Sequence, residues 1–128
     1  MSSERSTKYT RAVQEYLSAK GHASNAEITE HIRLQFPEVS ATTIHRITAR
    51  MIERSEAGTG PVTAENTLRL DANTTPHDHF QCLTCDCVRD IQLSPDILSL
   101  LQAQLGDCRF SGNLTIQGTC ANCLKEEL

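Results

Sequence analysis

The chain has 128 residues, 38% apolar and 22% charged, enough to bury a core in one compact domain or two very small ones and too apolar for a disordered tail. Its net charge of −4 argues against a bulk nucleic-acid binder, so any such role must rest on a local patch. No apolar run approaches the ~20 residues of a membrane span, and no apolar segment follows Met1-Ser2-Ser3-Glu4-Arg5-Ser6, so neither a spanning segment nor a secretory signal is expected.

Ala12, Val13, Tyr16 and Leu17 recur at helical spacing and predict a helix from about Thr10 to Lys20, stopped by Gly21. Ser24-Asn25-Ala26-Glu27 is a capping box that opens a second helix, with Ile28 and Ile32 on its buried face and an end before Phe36-Pro37. Ser40 can cap a third helix, with Ile44, Ile47, Met51 and Ile52 on one face and Thr43, Arg46, Arg50 and Arg54 on the other. Ser55 to Asn66 is rich in Gly, Thr, Ser and Pro and reads as a loop, with weak strands around Val62 and Thr67–Leu70. Three short helices and a weak hairpin fit a winged helix-turn-helix or any small helical bundle.

Beyond this point the composition changes. Residues 1–70 carry a net charge of +1 and residues 71–128 a net of −5, and the second segment holds all six cysteines. Two functional halves with a boundary near residue 71 are expected. In the second, Val88–Leu93 and Leu114–Gln117 alternate as strands. Between them Ser94-Pro95-Asp96 starts a helix filled by Ile97, Leu98, Leu100, Leu101 and Leu105 and ended by Gly106. This α+β unit is too small to rely on its core alone, so a metal staple is expected.

Cys82-x-x-Cys85 and Cys120-x-x-Cys123 supply that staple. Each pair can present two thiolates from a tight turn, and two pairs complete a tetrahedral sulfur set for a structural zinc, one per chain. Such an ion ties the start of the unit to its end and contributes to its folding. Two redox motifs or two disulfides are the alternatives. A cytosolic chain disfavours disulfides, and the βαβ setting of a thioredoxin-like motif is missing. Cys87 could compete as a ligand or oxidise. For it and for Cys108 a buried or indifferent thiol is the expectation.

His77-Asp78-His79 precedes Cys82, and on a strand residues 77 and 79 point to one side. A zinc deaminase would need His-x-Glu and Pro-Cys-x-x-Cys, and neither is present. A redox enzyme using Cys85-Asp86-Cys87 lacks any accompanying pocket motif, so no enzymatic activity is expected.

Three segments together resemble the ferric uptake regulator family of bacterial metal-dependent repressors: His77-Asp78-His79-Phe80-Gln81-Cys82-Leu83-Thr84-Cys85, Gly118-Thr119-Cys120-Ala121-Asn122-Cys123 and Phe36-Pro37-Glu38-Val39-Ser40-Ala41-Thr42-Thr43-Ile44-His45-Arg46. The resemblance runs from about Thr10 to Cys123. It implies a winged-helix DNA-binding domain over 1–70 and a small α/β dimerisation and metal-binding domain over 71–128. It also implies a regulatory metal site from His22, Asp71, His77, His79 and Asp90. Imidazoles with hard carboxylates suit a five- or six-coordinate Fe(II) or Mn(II) better than a closed tetrahedral zinc. Aspartate at position 71 looks most like the peroxide-responsive members, in which Fe(II) reacts with peroxide and a histidine ligand is oxidised.

The family's recognition helix would place Thr42, Thr43, His45, Arg46 and Arg50 at the major groove, with Arg11 on a phosphate. A homodimer doubles this small patch and fits a palindromic double-stranded operator. The expected protein is a cytoplasmic, homodimeric, metal-dependent repressor. The alternative is a zinc-stabilised interaction or metal-buffering module that has lost operator binding. Four departures from the family pattern bear on these readings: His45 replaces a tyrosine, Gly58–Asn66 lacks the usual Leu-Val pair, Asp86 replaces a glycine, and a further histidine is missing near Gly112.

Overall fold

The computed structural model describes residues 3–111 and 113–127. Met1 and Ser2, and Gly112 with the absent histidine, lie outside them. The chain forms two compact units, Met1–Thr74 and Thr75–Leu128. The boundary lies beyond the expected 70/71 division. Asp71 is the last residue of a strand in the first unit's sheet, so the sheet holds the chain past that point.

In the first unit, α1 spans Ser3–Lys20, α2 Asn25–Ile32 and α3 Ala41–Glu53. Helix α1 begins seven residues before the expected start, and it buries Tyr9, Val13 and Leu17 at a four-residue repeat. Gly21 ends it at φ +89°, its N–H donating to the Leu17 carbonyl at 2.7 Å. No atom stands within 4 Å of a Cβ at Gly21, so the backbone angle alone favours glycine there. The capping box of α2 is complete: Ser24 Oγ accepts from Glu27 N–H at 3.2 Å, and Glu27 Oε1 accepts from Ser24 N–H at 3.1 Å. Ser40 Oγ accepts from Thr43 N–H at 3.1 Å and opens α3. Thr48, buried on α3, donates its hydroxyl to Asn25 Oδ1 at 2.7 Å and ties α3 to the first turn of α2. Leu17, Ile28, Ile44 and Leu70 are fully buried between the elements, each contributing about 1.5–3 kcal/mol of apolar burial.

Three short strands complete this unit: β1 His22–Ser24, β2 Gly58–Thr59 and β3 Arg69–Asp71. They form an antiparallel sheet in the order β1-β3-β2, with both His22 and Gly58 in register with Asp71. The weak hairpin is therefore present, but its first strand lies at Gly58–Thr59 rather than around Val62, which is in no strand.

In the second unit, β4 spans Asp78–Cys82, β5 Val88–Ile91, α4 Pro95–Leu105, β6 Thr115–Gly118 and α5 Ala121–Glu127. The sheet order is β5-β4-β6, with β4 antiparallel to β5 and parallel to β6. Ser94 Oγ accepts from Ile97 N–H at 3.3 Å, Pro95 takes the first helical position, and Gly106 follows at φ +62°. No side chain of α4 is buried, and Ile97, Leu100, Leu101 and Leu105 are all exposed. Among the described residues of this unit, the buried apolar side chains are those of Cys82, Cys120 and Cys123. Among the described residues of the chain, no helix is long and apolar enough to cross a membrane.

Candidate metal centres

At the end of β4 the chain turns back at once. Asp86 N–H donates to the Cys82 carbonyl at 3.0 Å, and Cys82 N–H donates to the Cys87 carbonyl at 2.9 Å. Asp86 makes this turn at φ +63°, a left-handed conformation that favours glycine and that aspartate tolerates better than most residues. Its Oδ1 accepts from Gln81 Nε2 at 2.9 Å, which explains why a residue other than the family's common glycine fits. The parallel register sets Cys82 against Gly118 and so delivers Cys120 and Cys123 to the same end of the sheet. A Cβ at Gly118 would meet the Phe80 ring at 3.3 Å, so glycine lets that ring lie close beside the cysteines.

Cys82 Sγ lies 3.8 Å from Cys123 Sγ, and Cys85 Sγ lies 3.7 Å from Cys120 Sγ. All four sulfurs lie within 4.8 Å of one another. These separations are too long for disulfides, whose sulfurs stand about 2.05 Å apart. They match the ~3.8 Å edge of a tetrahedron built on metal–sulfur bonds of about 2.3 Å. The cluster can hold a metal ion.

Its thiols are electrostatically uneven. Backbone N–H groups of Cys85 and Cys120, at 3.5 and 3.3 Å, hold the Cys82 thiol down at about 6. The Cys123 N–H lowers Cys120 in the same way. Cys123 is pushed up by the Cys120 sulfur beside it and by burial. Cys87 is pushed up to about 12, first by Cys85 and then by burial. Adjacent thiols cannot all ionise alone, and a divalent cation removes that conflict.

The other expected ligands fall in two groups, one in each unit. In the first, the β1–β3 register sets His22 opposite Asp71, with His22 Nε2 3.5 Å from Asp71 Oδ2. Asp71 is buried, and its Oδ1 accepts from Asn73 N–H at 2.9 Å. In the second, β4 pairs His79 with Asp90 of β5. Asp90 Oδ1 lies 3.2 Å from His77 Nε2 and 3.6 Å from His79 Nε2. The strand begins at Asp78, so His77 precedes it, yet the two imidazole centroids are 4.5 Å apart.

The tautomer of His77 is informative. Its Nδ1 stands 2.6 Å from the Thr75 carbonyl, which can only accept, so Nδ1 carries the proton. In the neutral ring Nε2 then turns a lone pair toward the Asp90 carboxylate. Two acceptors this close require a proton or a cation between them. Ligands about 2.1 Å from one ion and cis to each other stand ~3 Å apart, and the His77–Asp90 distance suits such a pair.

Two positions went unforeseen by the sequence reading. Asp78, between the histidines, is buried and accepts from Leu114 N–H at 2.9 Å, pinning the approach to β6. Gln81 is buried between Asp86 and Gln117, whose amide donates to Gln81 Oε1 at 3.3 Å. Spacing gave no signal for either: β4 reads Asp78-His79-Phe80-Gln81-Cys82 without alternation, and its central place in the sheet is what buries them.

On α3, Thr42, His45, Arg46 and Arg50 are exposed on the face opposite Ile44, Ile47 and Met51. Thr42, Arg46 and Arg50 follow one another at four-residue spacing, which lines them along one ridge. Thr43 is half-buried, its Oγ1 accepting from Ser40 Oγ at 3.0 Å. Arg11 is exposed on α1, and Cys108 is exposed beyond α4.

Several solved structures share this fold. The ferric uptake regulator of Helicobacter pylori, described as having three functional metal-binding sites, aligns over 91% of this chain and 80% of its own, with TM-score 0.73 and 23% identity. The peroxide stress regulator of Campylobacter jejuni aligns over 93% and 91%, with TM-score 0.70 and 18% identity. A zinc uptake regulator complexed with zinc and DNA aligns over 93% and 83%, with TM-score 0.62 and 20% identity. No curated protein matches the chain in sequence. Residues 2–111 match the sequence profile of the ferric uptake regulator family, which covers α1 through the segment before β6 and includes both groups of histidine and aspartate ligands. With that match and these folds in agreement, the chain belongs to the ferric uptake regulator family of metal-responsive transcription regulators.

Proposed function

We propose that the protein is a cytoplasmic, homodimeric, metal-dependent repressor that binds a double-stranded DNA operator. The α3 ridge carries the reading: an exposed row of Thr42, Arg46 and Arg50 on a helix whose opposite face is fixed in the core. In this reading α1 to α3 with β2 and β3 act as a winged helix-turn-helix, and α3 enters the major groove. Arg46 and Arg50 reach base edges or phosphates, Thr42, Thr43 and His45 line the approach, and Arg11 holds a phosphate. The exposed apolar face of α4 supports dimerisation through the second domain, since a partner would remove Leu100 and its neighbours from water.

Cys82, Cys85, Cys120 and Cys123 hold a structural zinc. His22, Asp71, His77, His79 and Asp90 together hold the regulatory Fe(II) or Mn(II). Each unit supplies carboxylate oxygen and imidazole nitrogen at spacings that a hard, multi-coordinate cation accepts. When bound, such an ion neutralises the two carboxylates, and iron(II) also brings reactivity toward peroxide. A ligand set divided between both units favours one placement of the α3 helices, and DNA that selects the same placement is linked to occupancy by the same free energy.

DNA binding measured by fluorescence anisotropy should require added Fe(II) or Mn(II) and weaken as salt rises. Replacing Arg46 by alanine should cost about 1–3 kcal/mol if it touches a base edge. Equal affinity of wild type and Arg46→Ala would move the balance to an interaction or metal-buffering module.

Asp71 supports the finer reading that the protein senses peroxide. Fe(II) with peroxide should add oxygen to His22 or His79, seen as a peptide mass increase, and release DNA, while Mn(II) should support binding without oxidation. Asp71→Glu should keep metal-dependent binding and slow the oxidation. Unmodified His22 and His79 after this treatment would reject peroxide sensing in favour of plain iron or manganese sensing.

A further inference from the structure

Cysteine sulfurs in the second unit outnumber the positions of a tetrahedral ion. Cys82, Cys120 and Cys123 form its buried centre, and Cys87 packs against them. Cys85, the remaining member of the expected set, is exposed. The fourth coordination position is therefore bordered by two thiols from one short turn. Cys87 is half-buried and lies two residues along the turn from Cys85. The turn fixes it there: Cys82 N–H holds the Cys87 carbonyl at 2.9 Å, and Asp86 at φ +63° folds residue 87 back toward residue 82.

Zinc carries no geometric preference from its d-electrons, so a second cysteine thiolate reaching the fourth position can complete the same tetrahedral sulfur set. An exposed zinc thiolate is also the one that alkylating or oxidising reagents reach first. We propose that Cys87 is a reserve ligand: when Cys85 is lost to substitution or modification, the Cys87 sulfur takes the fourth position beside Cys82, Cys120 and Cys123. The exchange is a ligand substitution without oxidation. The Cys87 thiol gives its proton to water as the sulfur–zinc bond forms, and the Cys85 position is vacated. The reserve serves position 85 alone, because Cys82, Cys120 and Cys123 are the buried members of the cluster, whereas Cys85 is exposed on the turn that also carries Cys87. The proposal rests on the cysteine cluster being a structural zinc site.

Zinc per chain, measured after dialysis against a mild chelator on wild type, Cys82→Ser, Cys85→Ser and the double variant Cys85→Ser/Cys87→Ser, tests it. Wild type and Cys85→Ser should keep a full complement, while Cys82→Ser and the double variant should lose it. Cobalt(II) substitution gives a second readout, since the sulfur-to-cobalt absorption grows with the number of thiolates bound. Cys85→Ser should keep the wild-type intensity. A Cys85→Ser chain that loses zinc, does not fold, or shows only about three-quarters of that absorption overturns the proposal, because the fourth sulfur has not been replaced. Retention of zinc by the double variant also overturns it, since three sulfurs would then suffice. Wild type without zinc, or Cys82→Ser with it, overturns the zinc reading and the reserve with it.

Discussion

Leu17, Ile28, Ile44 and Leu70 fill the interior of residues 1–74, whereas the interior of residues 75–128 is made of Cys82, Cys120 and Cys123 with Phe80 and Cys87 against them. The first unit closes by ordinary apolar burial, and its three helices each contribute a stripe to one cluster. The second turns its aliphatic residues outward: Ile97, Leu100, Leu101 and Leu105 of α4 are exposed, Leu100 at 69%. A unit that turns its best hydrophobic helix away from its own centre must be held by something other than apolar burial. The sulfur cluster is the group placed to do it. If the cluster holds the proposed ion, the same difference separates two kinds of fragility, one graded and one conditional on that ion.

Several experiments would break or sharpen that contrast. The largest effect belongs to Cys82→Ser. It should release the structural zinc and unfold residues 75–127 while the first unit stays folded. Hydrogen exchange reads this directly: amides of β4 to β6 lose protection, and those of α1 to α3 keep it. Cooperative melting of the second unit in this variant would show that apolar packing suffices there after all. Next comes Leu17→Ala, which opens a cavity in the aliphatic core and should cost about 2–5 kcal/mol in denaturant unfolding of the first unit, with zinc content unchanged. Loss of zinc in Leu17→Ala would mean that the two units do not fold separately. The smallest effect is Ser24→Ala. It removes one arm of the capping box and should cost about 0.5–2 kcal/mol by the same measurement. A negligible cost would place the stability of α2 wholly in Ile28 and Ile32.

What could be read in advance follows the same contrast. Starts of α2, α3 and α4 were legible because a hydroxyl cap is a local signal, complete within four residues at Ser24, Ser40 and Ser94. The four cysteines were legible because the members of each pair stand three residues apart, a spacing visible whether a turn or, as at Cys123, a helix start carries them. Strand β1 was not, since three residues carry no periodicity, and α5 was not, since Cys123 is its one buried residue among those described. The early turns of α1 escaped because Ser3 to Lys8 include no apolar residue that could start a stripe before Tyr9. The pairing of His22 with Asp71 depends on a strand register that joins residues 49 positions apart, and spacing says nothing of that. Only the family resemblance brought those two together. The compact units divide after Thr74, a little beyond residue 70, for a related reason: charge and composition change at residue 70, but β3 runs on to Asp71. Exposure along α4 was likewise unreadable, because an amphipathic pattern does not say what its apolar face meets.

The parallel pairing of β4 with β6 has a consequence for the order of assembly. Strand β4 meets β5 across a tight turn, but its other neighbour arrives only after α4, and the contact from Leu114 to Asp78 spans 36 residues. Closing such a loop costs entropy before any contact rewards it. On the ribosome, the α1–α3 bundle can therefore be complete while β4 and β5 wait as a lone hairpin with two of their thiols exposed. During that interval the half-built site is a two-sulfur chelate, open to cellular thiols and to the wrong metal, until residues 115 to 123 emerge. Synthesis speed and the free zinc level at that moment, rather than the final equilibrium, would then set the fraction of chains that mature.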